Sequence, residues 1–174
     1  MSTTTKASLG QPALIGGLVM GVLSALPLVG PFGNACCCLW VVSGGLVAAY
    51  VLQQNQTMPI AAGDGAVAGL LAGLIGAGVH FVISVPLDLM LGPMERAMAL
   101  RFVERMPPDM RDTFEQMVAR SGEARGAYFI VAHVLGLIFW AFAGAIFGTL
   151  GGVIGAAIFK KNAPPPDPID VPAR

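Results

Sequence analysis

His80, Ser84 and Asp88 recur at fourfold spacing in an otherwise apolar stretch, so on a helix their side chains share one face. An imidazole, a hydroxyl and a carboxylate filed along the inside of a bundle are what a proton or ion path through a membrane requires. Polar groups at such depth are costly enough to raise a functional hypothesis by default. His133, in a later apolar stretch, is the other titratable group of this kind. The competing reading of all four is packing, with each side chain hydrogen-bonded to its surroundings and Asp88, near the end of its stretch, solvated or paired with an arginine. Pro86 is expected to bend the helix between Ser84 and Asp88.

Two histidines on antiparallel neighbouring helices also raise bis-histidine ligation of a haem or pigment, in which both rings meet one metal at the same depth. Counted from their shared loop, His80 lies 11 residues in from Leu91 and His133 six in from Ala127, or ~16 Å against ~9 Å. The unequal depths weigh against a haem on His80 and His133, and no cofactor or metal is expected. Cys36, Cys37 and Cys38 are consecutive, so on a helix they point about 100° apart instead of converging on one ion. They read as small buried apolar residues, with reversible palmitoylation near a membrane interface as the chemical alternative. There is no serine or cysteine nucleophile in plausible register with a histidine, no pair of intramembrane carboxylates and no phosphate-binding glycine loop, so an enzyme is not expected.

The most regular pattern belongs to glycine: Gly17 and Gly21, then Gly65, Gly69 and Gly73, then Gly144, Gly148 and Gly152, each set spaced by four along one helix face. Lipid offers little hydrophobic drive between helices, so close backbone approach through small residues supplies van der Waals contact instead. The spacing predicts tight helix packing, either within one chain or between copies.

These residues need helices that cross a bilayer, and the composition provides them. Of the 174 residues 55% are hydrophobic and 11% charged, where a soluble domain carries about 25% charged residues. Formal net charge is zero, with ten basic and ten acidic side chains, which leaves no basic field or stripe for nucleic acid. Four segments approach the about 20 apolar residues a spanning helix requires: 13–30, 35–52, 65–91 and 127–159. PFGN joins the first two into an antiparallel hairpin, and the polar connection QQNQTMPIAAGDG leads to the third. The fourth, at ~1.5 Å per residue, would reach ~50 Å against a ~30 Å hydrocarbon core, so it must tilt, protrude or break near Gly151 and Gly152. Lys6 before the first stretch is too little for a signal peptide's basic region, and the stretch is expected to be retained as a helix.

Between the third and fourth spans, residues 92–126 hold six of the ten basic and six of the ten acidic residues. They are expected to form an insert of two amphipathic helices. The first starts at Gly92 and Pro93 with Met94, Met98, Phe102 and Met106 as its apolar stripe; the second, after Pro107 and Pro108, shows Met110, Phe114, Met117 and Val118. Such a pair lies in the interface, caps the bundle or offers a methionine-rich surface to a partner. Residues 162–174, with five prolines and no periodicity, are expected to be a disordered tail after a single helical domain over 1–161.

The reading is thus an all-α, polytopic membrane bundle of about four helices with an amphipathic two-helix insert. Its parts in order are an apolar hairpin, the glycine-rich GDGAVAGLLAGLIGAGVHFVIS, the insert ERAMALRFVERMPPDMRDTFEQM and a last span ending IFKK. That order resembles the uncharacterised four-span bacterial integral membrane proteins grouped as domains of unknown function. The likeness is architectural and covers most of the chain apart from the proline tail. It implies a bacterial inner (cytoplasmic) membrane and no activity, and it carries over no functional residues. The charge pattern leans towards both termini being cytoplasmic, with Lys160 and Lys161 abutting the last span. The first expectation for function is an accessory or structural subunit that associates with itself or a larger membrane complex. A small transporter or proton conductor using His80, Ser84 and Asp88 is the alternative.

Overall fold

The computed structural model describes residues 8–26, 29–30, 33, 38–107, 110–114, 116 and 125–161. Four helices organise them: α1 (Gly10–Ala25), α2 (Leu39–Gln54), α3 (Ala62–Val103) and α4 (Arg125–Ile158). Local chemistry sets their ends. α1 stops at Ala25 because Leu26 precedes Pro27 and takes an extended ψ of 128°, the region to which a following proline confines its neighbour. α2 begins only after Cys38, which sits in the left-handed region at φ 55°. The two spans expected over 13–30 and 35–52 are therefore helices of 16 residues each. At ~1.5 Å per residue they rise ~24 Å, short of the ~30 Å core. Cys36, Cys37 and the tail 162–174 lie outside the described residues.

α3 is where the structure departs most from the expected division. Instead of ending near Leu91 and restarting at Gly92 and Pro93, it runs unbroken for 42 residues with Pro86 and Pro93 inside it. Each proline removes one backbone hydrogen bond, but an apolar surrounding has no water to compete for the freed carbonyl, and the remaining bonds carry the helix on. The expected first insert helix is thus the distal part of α3, and it presents Met94 and Met98 outward. Beyond Val103, residues 110–114 are helical again; Met117 and Val118 lie outside the described residues. α4 is one continuous helix of 34 residues through Gly151 and Gly152, which answers the choice between a long helix and a broken pair. At its start, α3 is capped by Asp64 Oδ2, which accepts from the Ala61 amide at 3.3 Å.

The helices alternate in direction, and the packing is a diamond. α3 packs on α4 and α1, α2 packs on α4, α1 and, across the short diagonal, α3, while α1 and α4 do not meet among the described residues. Small side chains make the centre: Ala48, Ala49, Leu52, Ile60, Ala68, Ala72 and Ala156 form one buried cluster. The predicted glycine faces meet inside the chain. Gly73 lies against Gly144, Gly69 against Gly148 and Gly65 against Gly152, backbone on backbone along an antiparallel α3–α4 seam. Gly17 and Gly21 fit against Ile75 and Val79 of α3, which runs parallel to α1.

α1 and α2 cover only the part of the long helices nearest the chain ends. Beyond them, among the described residues, α3 and α4 continue as a two-helix arm whose outward side chains, such as Leu89, Met90, Ile130 and Val131, are exposed. Ala62–Met94 and Phe129–Ile158 are long and apolar enough to cross a membrane; α1 and α2 are shorter apolar helices. Across the turn of the first hairpin the Trp40 indole N–H donates to the Val29 carbonyl at 2.9 Å. Trp40→Phe keeps the ring and loses the donor. It should lower stability by about 1 kcal/mol, seen as a fall in thermal midpoint in detergent without a change in oligomeric state.

Candidate functional site

Where α1 ends, the four-helix base gives way to the two-helix arm, and a cavity of about 380 Å³ opens there. Its walls come from three helices: Ser24, Ala25 and Leu26 at the end of α1, His80, Phe81, Ser84 and Asp88 on α3, and Ala132, His133, Gly136, Leu137 and Trp140 on α4. The position follows from sequence. α1 ends at Ala25, ahead of Pro27, and on the α4 side the small Gly136, where an added Cβ would meet nothing within 4 Å, leaves room. Continuing the register set by the three glycine pairs puts His133 opposite Ser84, one turn nearer the arm than His80.

All four polar residues singled out by spacing thus meet at one place. His133 is held from both sides. Its Nδ1 lies 2.8 Å from the Phe129 carbonyl oxygen and its Nε2 3.0 Å from Asp88 Oδ2, with the rings of Phe129 and Phe81 at centroid distances of 4.0 and 6.2 Å. The two side chains of the pair differ in burial: His133 is 15% exposed and Asp88 46%. Asp88, expected to be solvated or paired with an arginine, is partly exposed and paired to a histidine. Ser84 turns its hydroxyl back to the Phe81 carbonyl at 3.3 Å, a common way for a helical serine to satisfy its donor.

His80 does something different. Its ring stacks against Trp140 at 4.7 Å, and its Nδ1 is buried with no hydrogen-bond partner. Across the cavity Ser24 Oγ is in the same state, in a residue only 6% exposed. Both orphaned atoms belong to residues that line the cavity. An unmade bond on a buried polar atom costs about 1–3 kcal/mol, so a ligand or water that completes both would be held. A haem iron on both histidines would have to draw His133 away from Asp88 or Phe129. Among the described residues no group of three or more histidine, cysteine or carboxylate side chains is placed to hold a metal.

Spacing alone did not single out Ser24, Phe81 or Trp140. Ser24 was the legible one, as a hydroxyl in an apolar helix one turn before a proline. The aromatic walls carried no such signal, since tryptophan and phenylalanine are ordinary in apolar helices.

Below the cavity the path closes. The Gly73–Gly144 contact begins the backbone seam, and Met20, fully buried, packs beside Gly44 and Gly76. The site is a vestibule that reaches Asp88 at the arm side and stops at the base, a geometry for binding more than for open conduction.

A family model described as the MJ1491 transmembrane domain matches residues 10–162, nearly the whole chain. The match agrees with the resemblance drawn from sequence at the level of an uncharacterised membrane domain. No curated protein and no solved structure matched. The chain belongs to the MJ1491 transmembrane domain family.

Proposed function

We propose that the protein, a member of that family, is a polytopic carrier that binds a small polar solute in the vestibule and couples its passage to proton movement. One observation carries the reading: two buried polar atoms, Ser24 Oγ and His80 Nδ1, lie without partners at the wall of a cavity that also holds the His133–Asp88 pair. A site built only for packing would have satisfied them. In this reading all four helices cross the bilayer, α1 and α2 by local thinning around their short length, and both termini share the cytoplasmic side of the membrane.

Proteoliposomes enclosing a pH-sensitive dye test it. Outward gradients of small amines, amino acids and sugars are imposed one at a time. At least one solute should move protons in the wild type, and the same solute should give the empty-vesicle trace in the combined His80→Leu, Asp88→Leu variant. Identical traces for wild type and variant with every solute would sink the carrier reading.

A second reading keeps the expected accessory role. Since the glycine faces are consumed within the chain, association would have to use the outer face of α4 and the exposed Met90, Met94 and Met98 near the charged segment. Extraction in mild detergent from the native membrane, with mass spectrometry of the co-purifying proteins, would then return a stoichiometric companion.

A further inference from the structure

The contacts around His133 bear on how many protons the pair holds. The Phe129 carbonyl can only accept, so the Nδ1 atom 2.8 Å from it carries a hydrogen. Nε2 then faces Asp88 Oδ2 at 3.0 Å in one of two stable ways. It carries a second hydrogen and donates to an ionised carboxylate, or a protonated Asp88 donates to it. In both, the pair holds one proton more than a neutral imidazole beside a carboxylate, and its net charge is zero. Remove that proton and two lone pairs face each other across the bond, with a charge of −1 left on a pair whose histidine is largely buried.

A compensating cation favours such a charge there. Among the described residues the cavity lining offers none; Arg96 and Arg125 stand on neighbouring turns of α3 and α4, beyond the lining residues. α1 contributes Ser24, Ala25 and Leu26; the titratable groups are His80 and Asp88 on α3 and His133 on α4, and no lysine or arginine lines the cavity. His80 stands two turns from Asp88, ~12 Å along the helix, where its attraction is a fraction of that of a cation in contact. The walls do favour a ligand cation. Trp140 and Phe81 bring aromatic rings to the lining, side chains whose π-faces attract positive charge, and the unpartnered Ser24 hydroxyl can accept from an N–H.

Resting on the reading of the cavity as a solute site, we infer that its ligand is a small monovalent organic cation of the ammonium type, exchanged one for one with the proton of the His133–Asp88 pair. Cation and protonated pair give cation on the Asp88 carboxylate, neutral His133 and one proton to solvent. Charge is unchanged on both sides, and no bond other than N–H or O–H is broken.

The test uses the full chain in detergent micelles at low buffer strength, with benzyltrimethylammonium as the probe because its nitrogen has no proton of its own. Benzyl alcohol is the neutral control of similar size. Calorimetry should show binding of the cation, and an indicator dye should show one proton released per cation bound. Over the pH range in which the pair is protonated, affinity should tighten about tenfold per pH unit, the slope of a one-proton exchange. Asp88→Asn should lose both binding and release; His133→Gln should keep cation binding and lose the release. Cation binding without proton release overturns the exchange. Binding of benzyl alcohol but not of the cation, unaltered in Asp88→Asn, overturns the cation assignment and leaves the solute-site reading standing. Binding of neither removes both.

Discussion

Gly148→Leu should yield no monodisperse protein after detergent extraction, whereas Gly78→Leu, on the same pair of helices, should elute like the wild type. Gly148 sits where three helices cross. A Cβ added there would lie 2.6 Å from the Gly69 carbonyl oxygen and 3.2 Å from the Gly73 Cα, and on its other side a Cβ on Gly45 would run into the Gly148 carbonyl. The obstacles are backbone atoms of α3, which cannot rotate aside as a side chain can. One methyl, in Gly148→Ala, should already cost about 1–3 kcal/mol. It would also part the close Cα–H···O contacts that small residues allow, each worth about 0.5–1 kcal/mol. A leucine has to be accommodated by separating α3 from α4, which opens the contacts of Gly65 and Gly73 as well. Gly78 has nothing within 4 Å of its added Cβ, so a side chain there points into open space. Size-exclusion profiles of fluorescent fusions decide the matter: equal recovery of the two variants would mean that α3 and α4 do not pack in this register.

That seam was readable in advance because its signal is periodic. Glycine at every fourth position can only be a face, and lipid gives such a face one use. The polar file was readable for the same reason, and His80, Ser84 and Asp88 do share a wall. Helix boundaries were harder. A Gly-Pro pair followed by an acidic residue is a sound start signal in water, where a broken hydrogen bond is replaced by solvent; without that replacement α3 passes straight through Pro93. The cavity was illegible for another reason. It depends on α1 ending beside His80 and on Trp140 arriving from a helix more than a hundred residues away from Ser24, and no local pattern encodes which helix stops at which level. The pairing of Asp88 with His133 is equally a product of the antiparallel register, which the glycines fix but the polar residues do not announce.

Gln53 shows the same limit on the opposite side of the bundle, and it supports the second large effect. In sequence it opens a run of polar residues, QQNQT, that reads as a solvent-exposed connection. In the structure it is 2% exposed, and its amide spans the turn between α2 and α3. Nε2 donates to the Met58 carbonyl at 3.1 Å, and Oε1 accepts from the Ile60 amide at 2.9 Å. The turn has no regular partner for those two backbone groups, and at that depth water is a poor substitute, so one side chain supplies both. Gln53→Leu removes donor and acceptor together and strands the buried Ile60 amide and the carbonyl of Met58, a residue that solvent reaches. At about 1–3 kcal/mol for the buried amide and less for the carbonyl, the loss should be on the order of 1–4 kcal/mol. Gln53→Glu is the sharper variant because it keeps the shape and the acceptor for Ile60 but turns an oxygen towards the Met58 carbonyl. It should lose the donor half and add the cost of a buried charge. Ile60, 4% exposed, belongs to the central cluster with Leu52 and Ala68, so a turn released from Gln53 loosens the adjoining core contact. Thermal unfolding in detergent should therefore rank wild type above Gln53→Leu by a wide margin, with protease nicking appearing between residues 55 and 61 at temperatures where the wild type is intact. A midpoint within a degree of the wild type would show that the amide is replaceable and that the turn is held by other means.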